Sequence, residues 1–299
     1  MPKKRHRRDR HDGYYISGLD PMHQLMPYML PNRADNEAVV NEFIDLTAIN
    51  EFLDKKNANL NDELGFKYTL FHVICAAMGK TIHLRPHMNR FIIGKRFYQR
   101  KEISLSFVVK KLFTEQAVDA LAIVKLKPES ELSPLDQVHG KVREIVHGLR
   151  KSGDGSGKAD ADKIMETMVK MPRPILSAFI KLMRKLSDYD RLPKAISTVD
   201  PYHTSAFIAN LGSIKLSATY HHLANWGTNS LFLVIGEKQD KPYFDSDANA
   251  QMRQTVELGL TIDERIGNGY YFAATLRLLR VLLANPELLE LPMDSEVEY

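Results

Sequence analysis

The stretch TLFHVICAAMGKTIH, from Thr69 to His83, constrains the fold most strongly. Its apolar residues Leu70, Phe71, Val73, Ile74, Ala77, Met78 and Ile82 recur at helical spacing and cover most faces. A helix apolar nearly all round has to be enclosed by other elements. Strands are the available partners. EISLSFVVKKLF shows the period-two alternation of a half-buried strand, and VDALAIVKLK follows it. RFIIG and RFYQR are shorter strand signals. TSAFIANLG, SIKLSATYHHL, NSLFLVIGE and QTVELGLTID return to strand character. Upstream, an apolar strand from Ala38 to Ile44 leads to a helix beginning near Asp45, with Thr47 as a candidate N-cap. Helices set between groups of strands predict α/β layers rather than a helical bundle.

The middle of the chain differs. Leu135 to Leu149 has a helical pattern, and KSGDGSGKADADK after it reads as a loop. That loop lacks the GxxxxGK[ST] order of a phosphate-binding P-loop. In PRPILSAFIKLMRKL, Ile175, Leu176, Phe179, Ile180, Leu182, Met183 and Leu186 share one helical face. Lys181, Arg184 and Lys185 share the other. Residues 174–186 could pack on their own domain or lie on a membrane surface. The expected organisation is a basic arm and extended lead-in over 1–34, then a single domain over 35–290. A helical insertion occupies about 128–200, and an acidic, loose tail covers 291–299.

The arm carries Lys3, Lys4, Arg5, Arg7, Arg8 and Arg10. A solvated tail explains them, and no nucleic-acid reading motif accompanies them, so nucleic-acid binding is not expected. With 44% hydrophobic residues the chain can bury a sizeable core. No apolar run approaches the roughly 18–20 residues needed to cross a bilayer. The one cysteine, Cys75, excludes an internal disulfide and fits a cytoplasmic location. Cys75 and His72 both read as core residues of the buried helix.

The chain closes with a strand LTI, a loop DERIGNG and a helix YYFAATLRLLRVLLANPELL. AFIANLG and LFLVIGE precede it, and VVNEFIDLTAINEFLDKKN and KYTLFHVICAAMGKTIHLRPHMN stand near the start. In order and spacing these segments, within residues 35–125 and 200–290, resemble one family. It is the catalytic domain of the 2-oxoacid dehydrogenase acyltransferases, the dihydrolipoyl acyltransferase core, which shares a fold with chloramphenicol acetyltransferase. The resemblance implies an α/β, chloramphenicol acetyltransferase-like two-layer sandwich with a mixed sheet and a helical insertion in its middle. It also implies a homotrimer with the active site in a channel at the subunit boundary. Coenzyme A or an acyl-CoA enters one end, the acceptor enters the other, and no metal is involved. The sequence shows no lipoyl-bearing domain and no Ala/Pro-rich linker, so a role as the core of a dehydrogenase complex is not expected.

Carried over by position, the resemblance puts Glu264 where the family has its histidine base, within the loop pattern DHRxxDG. Asn268 stands at the family's aspartate, and Ala209 at its serine-type hydroxyl. Asn210, Leu211, Gly212, Asp263, Arg265 and Gly269 match the family pattern. Loss of a positioned base removes roughly 10²–10⁴ in rate, and loss of an oxyanion donor roughly 10²–10³. Two readings follow. The chain is a disabled acyltransferase, a pseudoenzyme whose Glu264 faces solvent or pairs with Arg265. Or its centre is rewired, with Glu264 as base. HHLANWG imitates the HHxxxDG of chloramphenicol acetyltransferase, but Trp226 replaces the aspartate and the segment precedes LFLVIGE. His221 and His222 are therefore structural, or one of them is a surrogate base. Ser/His/Asp chemistry is not expected, because no G-x-S-x-G elbow is present. The alternative class is a non-catalytic trimeric scaffold or binding protein, acting at a membrane surface or holding acyl-CoA.

Overall fold

The computed structural model describes residues 6–58, 60, 65–110, 119–151, 168–193, 200–244 and 249–299. Lys3, Lys4, Arg5 and nearly all of the Gly/Ser/Asp-rich loop lie outside these residues. Nine strands are described: β1 Gly13–Tyr15, β2 Glu37–Asp45, β3 Arg90–Ile93, β4 Arg96–Arg100, β5 Ile103–Lys110, β6 Asp119–Leu126, β7 Ala206–Asn210, β8 Leu231–Phe244 and β9 Ala250–Asp263. The described helices are α1 Pro21–Met29, α2 Thr47–Ala58, α3 Leu70–Leu84, α4 Pro134–Lys151, α5 Arg173–Asp188 and α6 Gly269–Ala284.

Six strands form one sheet in the order β2-β9-β8-β7-β5-β6. β7 runs parallel to both β5 and β8, and the remaining pairs are antiparallel, so the sheet is mixed. Helices α2, α3, α4 and α6 pack on one face through a continuous apolar core. The enclosed helix is α3, with Val73, Ile74, Cys75, Ala76, Ala77, Met78 and Ile82 all buried. It lies so close to β6 that a Cβ on Gly79 would stand 2.1 Å from Leu126 Cδ1. Together these elements make the two-layer α/β sandwich that the sequence implied. A second, three-stranded sheet, β1-β4-β3, packs beside it.

Local details depart from expectation. Thr47 is the first residue of α2 rather than its cap. The capping carboxylate is Asp45, whose Oδ1 accepts from Thr47 N at 2.9 Å and Thr47 Oγ1 at 2.6 Å. SIKLSATYHHL is not a strand. Its first two residues complete a short 3₁₀ turn, Leu211–Ile214, and the rest runs without regular structure. The reason is topological: both edges of β8 are taken by β7 and β9, and both edges of β7 by β5 and β8. The segment crosses Gly236 instead, where a Cβ would stand 2.6 Å from Ala218 N.

The lead-in is not simply extended, because it contains β1 and α1. Arg10 is no surface charge either. It is 5% exposed and donates to Asp12 Oδ1 at 2.8 Å and to Ser187 O at 2.7 Å. The tail is anchored as well. Leu289 and Met293 are buried, and Lys80 Nζ donates to the carbonyls of Leu288 at 2.8 Å and Pro292 at 2.9 Å. Helix α5 packs through Met183 and Ser187, leaving Ile175, Leu182, Lys181 and Lys185 exposed. No helix among the described residues is long and apolar enough to cross a membrane.

Candidate functional site

The positions singled out by sequence fall into two groups at opposite ends of the main sheet. One group lies at the C-terminal end of β7, beside Ile235 and Gly236 within β8. There β7 stops at Asn210, and the 3₁₀ turn ends on Lys215 in the left-handed region, φ 59°. Gly212 is needed because a Cβ would come within 2.4 Å of Gly236 O. A groove of about 770 Å³ lies beside it. Asn210, Gly212, Ser213 and Gly236 form one side of it, and Asn50 and Tyr68 are among the residues of the facing side. Ala209 does not line the groove. Ala206 and Ile208 enter the helix-covered core, so the strand's alternation turns Ala209 to the opposite face, half-buried.

The second group is the loop after β9. Asp263 is fully buried and accepts both arms of the Arg265 fork, Nε to Oδ1 at 2.7 Å and Nη2 to Oδ2 at 2.7 Å. Arg265, 1% exposed, also donates to Leu30 O at 2.7 Å. Asn268 is the N-cap of α6, its Oδ1 accepting from Tyr271 N at 2.8 Å. Gly269 begins that helix. The backbone N–H of Glu264 donates to Asn36 O at 3.0 Å. Its side chain is exposed and makes no hydrogen bond or ion pair among the described residues. The expected alternative of a Glu264–Arg265 pair is therefore not realised, because Asp263 takes the guanidinium.

Strand register measures the separation of the two groups. Ala209 pairs with Val234, and Val234 with Gly259. Glu264 lies five residues beyond Gly259. Two strand spacings and five residues of rise put Ala209 and Glu264 about 19 Å apart. One chain does not bring them together.

The histidine pair belongs to the Glu264 end. His222 Nδ1 is 2.9 Å from Glu37 Oε2, and Glu37 is the register partner of Asp263. His221 stacks on Phe232 with ring centroids 4.9 Å apart. Trp226, where the HHxxxDG pattern has its aspartate, donates Nε1 to Asp200 Oδ2 at 2.6 Å.

Sequence spacing missed a Ser/His/Asp row that the fold assembles. Ser187 Oγ is 3.5 Å from His203 Nε2, and His203 Nδ1 is 3.7 Å from Asp200 Oδ2. Both distances exceed the contacts of roughly 2.6–3.2 Å that activate a nucleophile, and the Asp200 carboxylate is committed to Trp226. Burial pushes His203 down to about 4, so it is a neutral core imidazole. His11, Asp12 and Asp190 converge within 4.8 Å, but the carboxylates are already engaged: Arg10 lies 2.8 Å from Asp12 and 3.5 Å from Asp190, and His11 itself pairs with Asp190. His72 is buried. Its Nδ1 accepts from Thr69 N at 3.0 Å, and burial, with His139 beside it, pushes it down to about 3. Cys75 is a buried thiol whose ionisation burial pushes strongly upward, so it is an inert core residue.

No family model and no curated protein matches the sequence. Solved structures do match. A probable dihydrolipoamide acetyltransferase from Listeria monocytogenes 4b F2365 superposes with a TM-score of 0.57 at 14% identity, over 95% of this chain and 98% of that one. A chloramphenicol acetyltransferase gives 0.56 at 11% identity, over 91% and 99%. The dihydrolipoamide acetyltransferase of Azotobacter vinelandii gives 0.53 at 18% identity, over 92% and 94%. In that protein a serine, a histidine and an asparagine four positions beyond the histidine were investigated for their part in the catalytic mechanism. The mixed sheet, its helical layer and these superpositions establish one conclusion: the chain has the chloramphenicol acetyltransferase-like fold, the fold of dihydrolipoamide acetyltransferase catalytic cores.

Proposed function

We propose that this protein is a rewired acyltransferase. It uses an acyl-CoA thioester, and its centre is completed between neighbouring copies of a homotrimer. Glu264 replaces the family's histidine as base. The observation that carries this reading is the free Glu264 carboxylate on a loop whose other charges are locked, Asp263 to Arg265. Exposed glutamates are commonly unpaired, so what the loop contributes is position: the locked Asp263–Arg265 pair holds Glu264 just beyond the end of β9. Asn268 stands four positions after Glu264, the spacing of the histidine and asparagine in the Azotobacter protein. On this reading only the base and the Ala209 hydroxyl differ.

The groove beside Asn210 receives the thioester arm from one copy, and Glu264 reaches the acceptor from the next. Its carboxylate takes the proton of the acceptor nucleophile as that atom attacks the thioester carbonyl. The tetrahedral oxyanion then collapses, the carbon–sulfur bond breaks, and the proton returns to the departing thiolate. Position 209 faces away from the groove and offers the oxyanion no hydroxyl, which lowers the rate by roughly 10²–10³ and favours a reactive acceptor.

The test mixes the purified chain with acetyl-CoA, a thiol-release reagent and a panel of amine, hydroxyl and thiol acceptors. Turnover lost in Glu264→Gln supports the rewired centre. Absence of turnover, or turnover indifferent to Glu264→Gln, defeats it. Saturable acyl-CoA binding without transfer would leave the disabled, ligand-holding alternative.

A further inference from the structure

Asp263 is shared by two guanidiniums. Arg265 occupies both its oxygens, while Arg33 Nε stands 3.6 Å from Oδ2, outside hydrogen-bond range. Arg33 is 5% exposed. Its terminal nitrogens are fixed by carbonyls, Nη1 to Ala224 O at 2.7 Å, and Nη2 to Gly227 O at 3.2 Å and Ile92 O at 3.3 Å. Its Nε has no hydrogen-bond partner. Carbonyl dipoles orient a guanidinium but do not neutralise it. Two buried cations facing one carboxylate leave an excess positive charge inside the protein, and such a charge is strongly unfavourable without an anion.

Space for an anion lies against it. A cavity of about 240 Å³ is lined by Arg33 and Arg265 and also by Arg184 from α5, Lys95 from the β3–β4 turn, and the Trp226 ring. Asp188 is the one carboxylate in the lining. It accepts the backbone N–H of Gly94 and lies near Arg184. Four cations therefore surround a space below the roughly 300–1,000 Å³ of an ordinary drug-sized site. That volume accepts a charged head on a short stem and not an intact coenzyme A.

We propose that this cavity is an oxyanion site for the phosphate or carboxylate head of a small ligand, with Arg33, Arg184 and Lys95 as its cationic contacts. Arg33 supplies uncompensated buried positive charge behind the head, while Arg184 and Lys95 contact it at the mouth. The site stands apart from the acyl-transfer reading and needs no second copy.

Thermal unfolding of the full chain tests it, with inorganic phosphate and with malonate, against sodium chloride at matched ionic strength. The expected result is a saturable rise in Tm with phosphate or malonate and none with chloride. Whichever probe acts identifies the head. Charge reversal at the mouth, Lys95→Glu with Arg184→Glu, should weaken the response roughly tenfold or more. Arg33→Met removes the buried charge and should weaken it too. If that variant fails to fold, the mouth variant still decides. A response absent with both probes, matched by chloride, or unchanged in the mouth variant overturns the proposal. Glu264→Gln should respond as the wild type does, which separates this result from the fate of the acyl-transfer reading.

Discussion

Ala209 and Glu264 occupy opposite ends of the ladder that runs through Val234 and Gly259, about 19 Å apart. Reacting groups have to meet at about 3–3.5 Å, so a centre that uses both ends is necessarily built from two chains. Chains carrying Glu264→Gln, refolded together with chains carrying Asn210→Trp, should recover activity that neither shows alone. Thiol release measures it. Mixtures as inactive as their parents would rule out a shared centre.

On the proposed reading, an imidazole at position 264 should raise the rate. Ala209 is half-buried on the face of β7 turned away from the groove. Because Ala209 faces away from the groove, Ala209→Ser should leave the rate unchanged, whereas Glu264→His is expected to raise acyl transfer by placing an imidazole on the loop. Steady-state kinetics with acetyl-CoA checks it, and an unchanged kcat in Glu264→His would show that the site no longer approaches the thioester.

The loop separates stability from chemistry. Asp263→Asn removes the anion beside two buried guanidiniums and should cost about 3–5 kcal/mol in urea unfolding. The exposed neighbour behaves differently: Glu264→Gln should change stability by no more than about 0.5 kcal/mol. Equal effects at the two positions would contradict the geometry.

Acid should weaken the fold before its carboxylates protonate. Burial holds His72 down to about 3 and His203 to about 4, against 6.5 when unfolded. Between those values the unfolded chain binds more protons than the folded one. The stabilisation is thus complete above pH 6.5 and declines as the pH falls toward 4, by about 1.4 kcal/mol per pH unit for each histidine. Urea melts from pH 7 to pH 5 should show this slope, and His72→Gln should flatten it.

Lys80 ties the tail to α3 through the carbonyls of Leu288 and Pro292. Lys80→Met keeps the aliphatic stem but strands those acceptors, with a loss of about 1–3 kcal/mol. Faster proteolysis after Leu289 is the expected signature. Cleavage at the wild-type rate would mean that the tail is held by Leu289 and Met293 alone.

Much of the layer architecture was legible in the chain. The periods of α3, β7 and α6 are carried by local residue order, and burial follows directly from period. Only the tertiary structure could show that SIKLSATYHHL is no strand, because alternation records a face and not a free edge. Arg10 looked like a solvated charge, since its Ser187 carbonyl partner is 177 positions away. The residue types at 209, 264 and 268 were fixed by sequence alone. That Glu264 is left free depends on Asp263 outcompeting it for Arg265. That the two ends of the site lie apart depends on strand register. Both are contacts between positions whose distance along the chain says nothing of their distance in space.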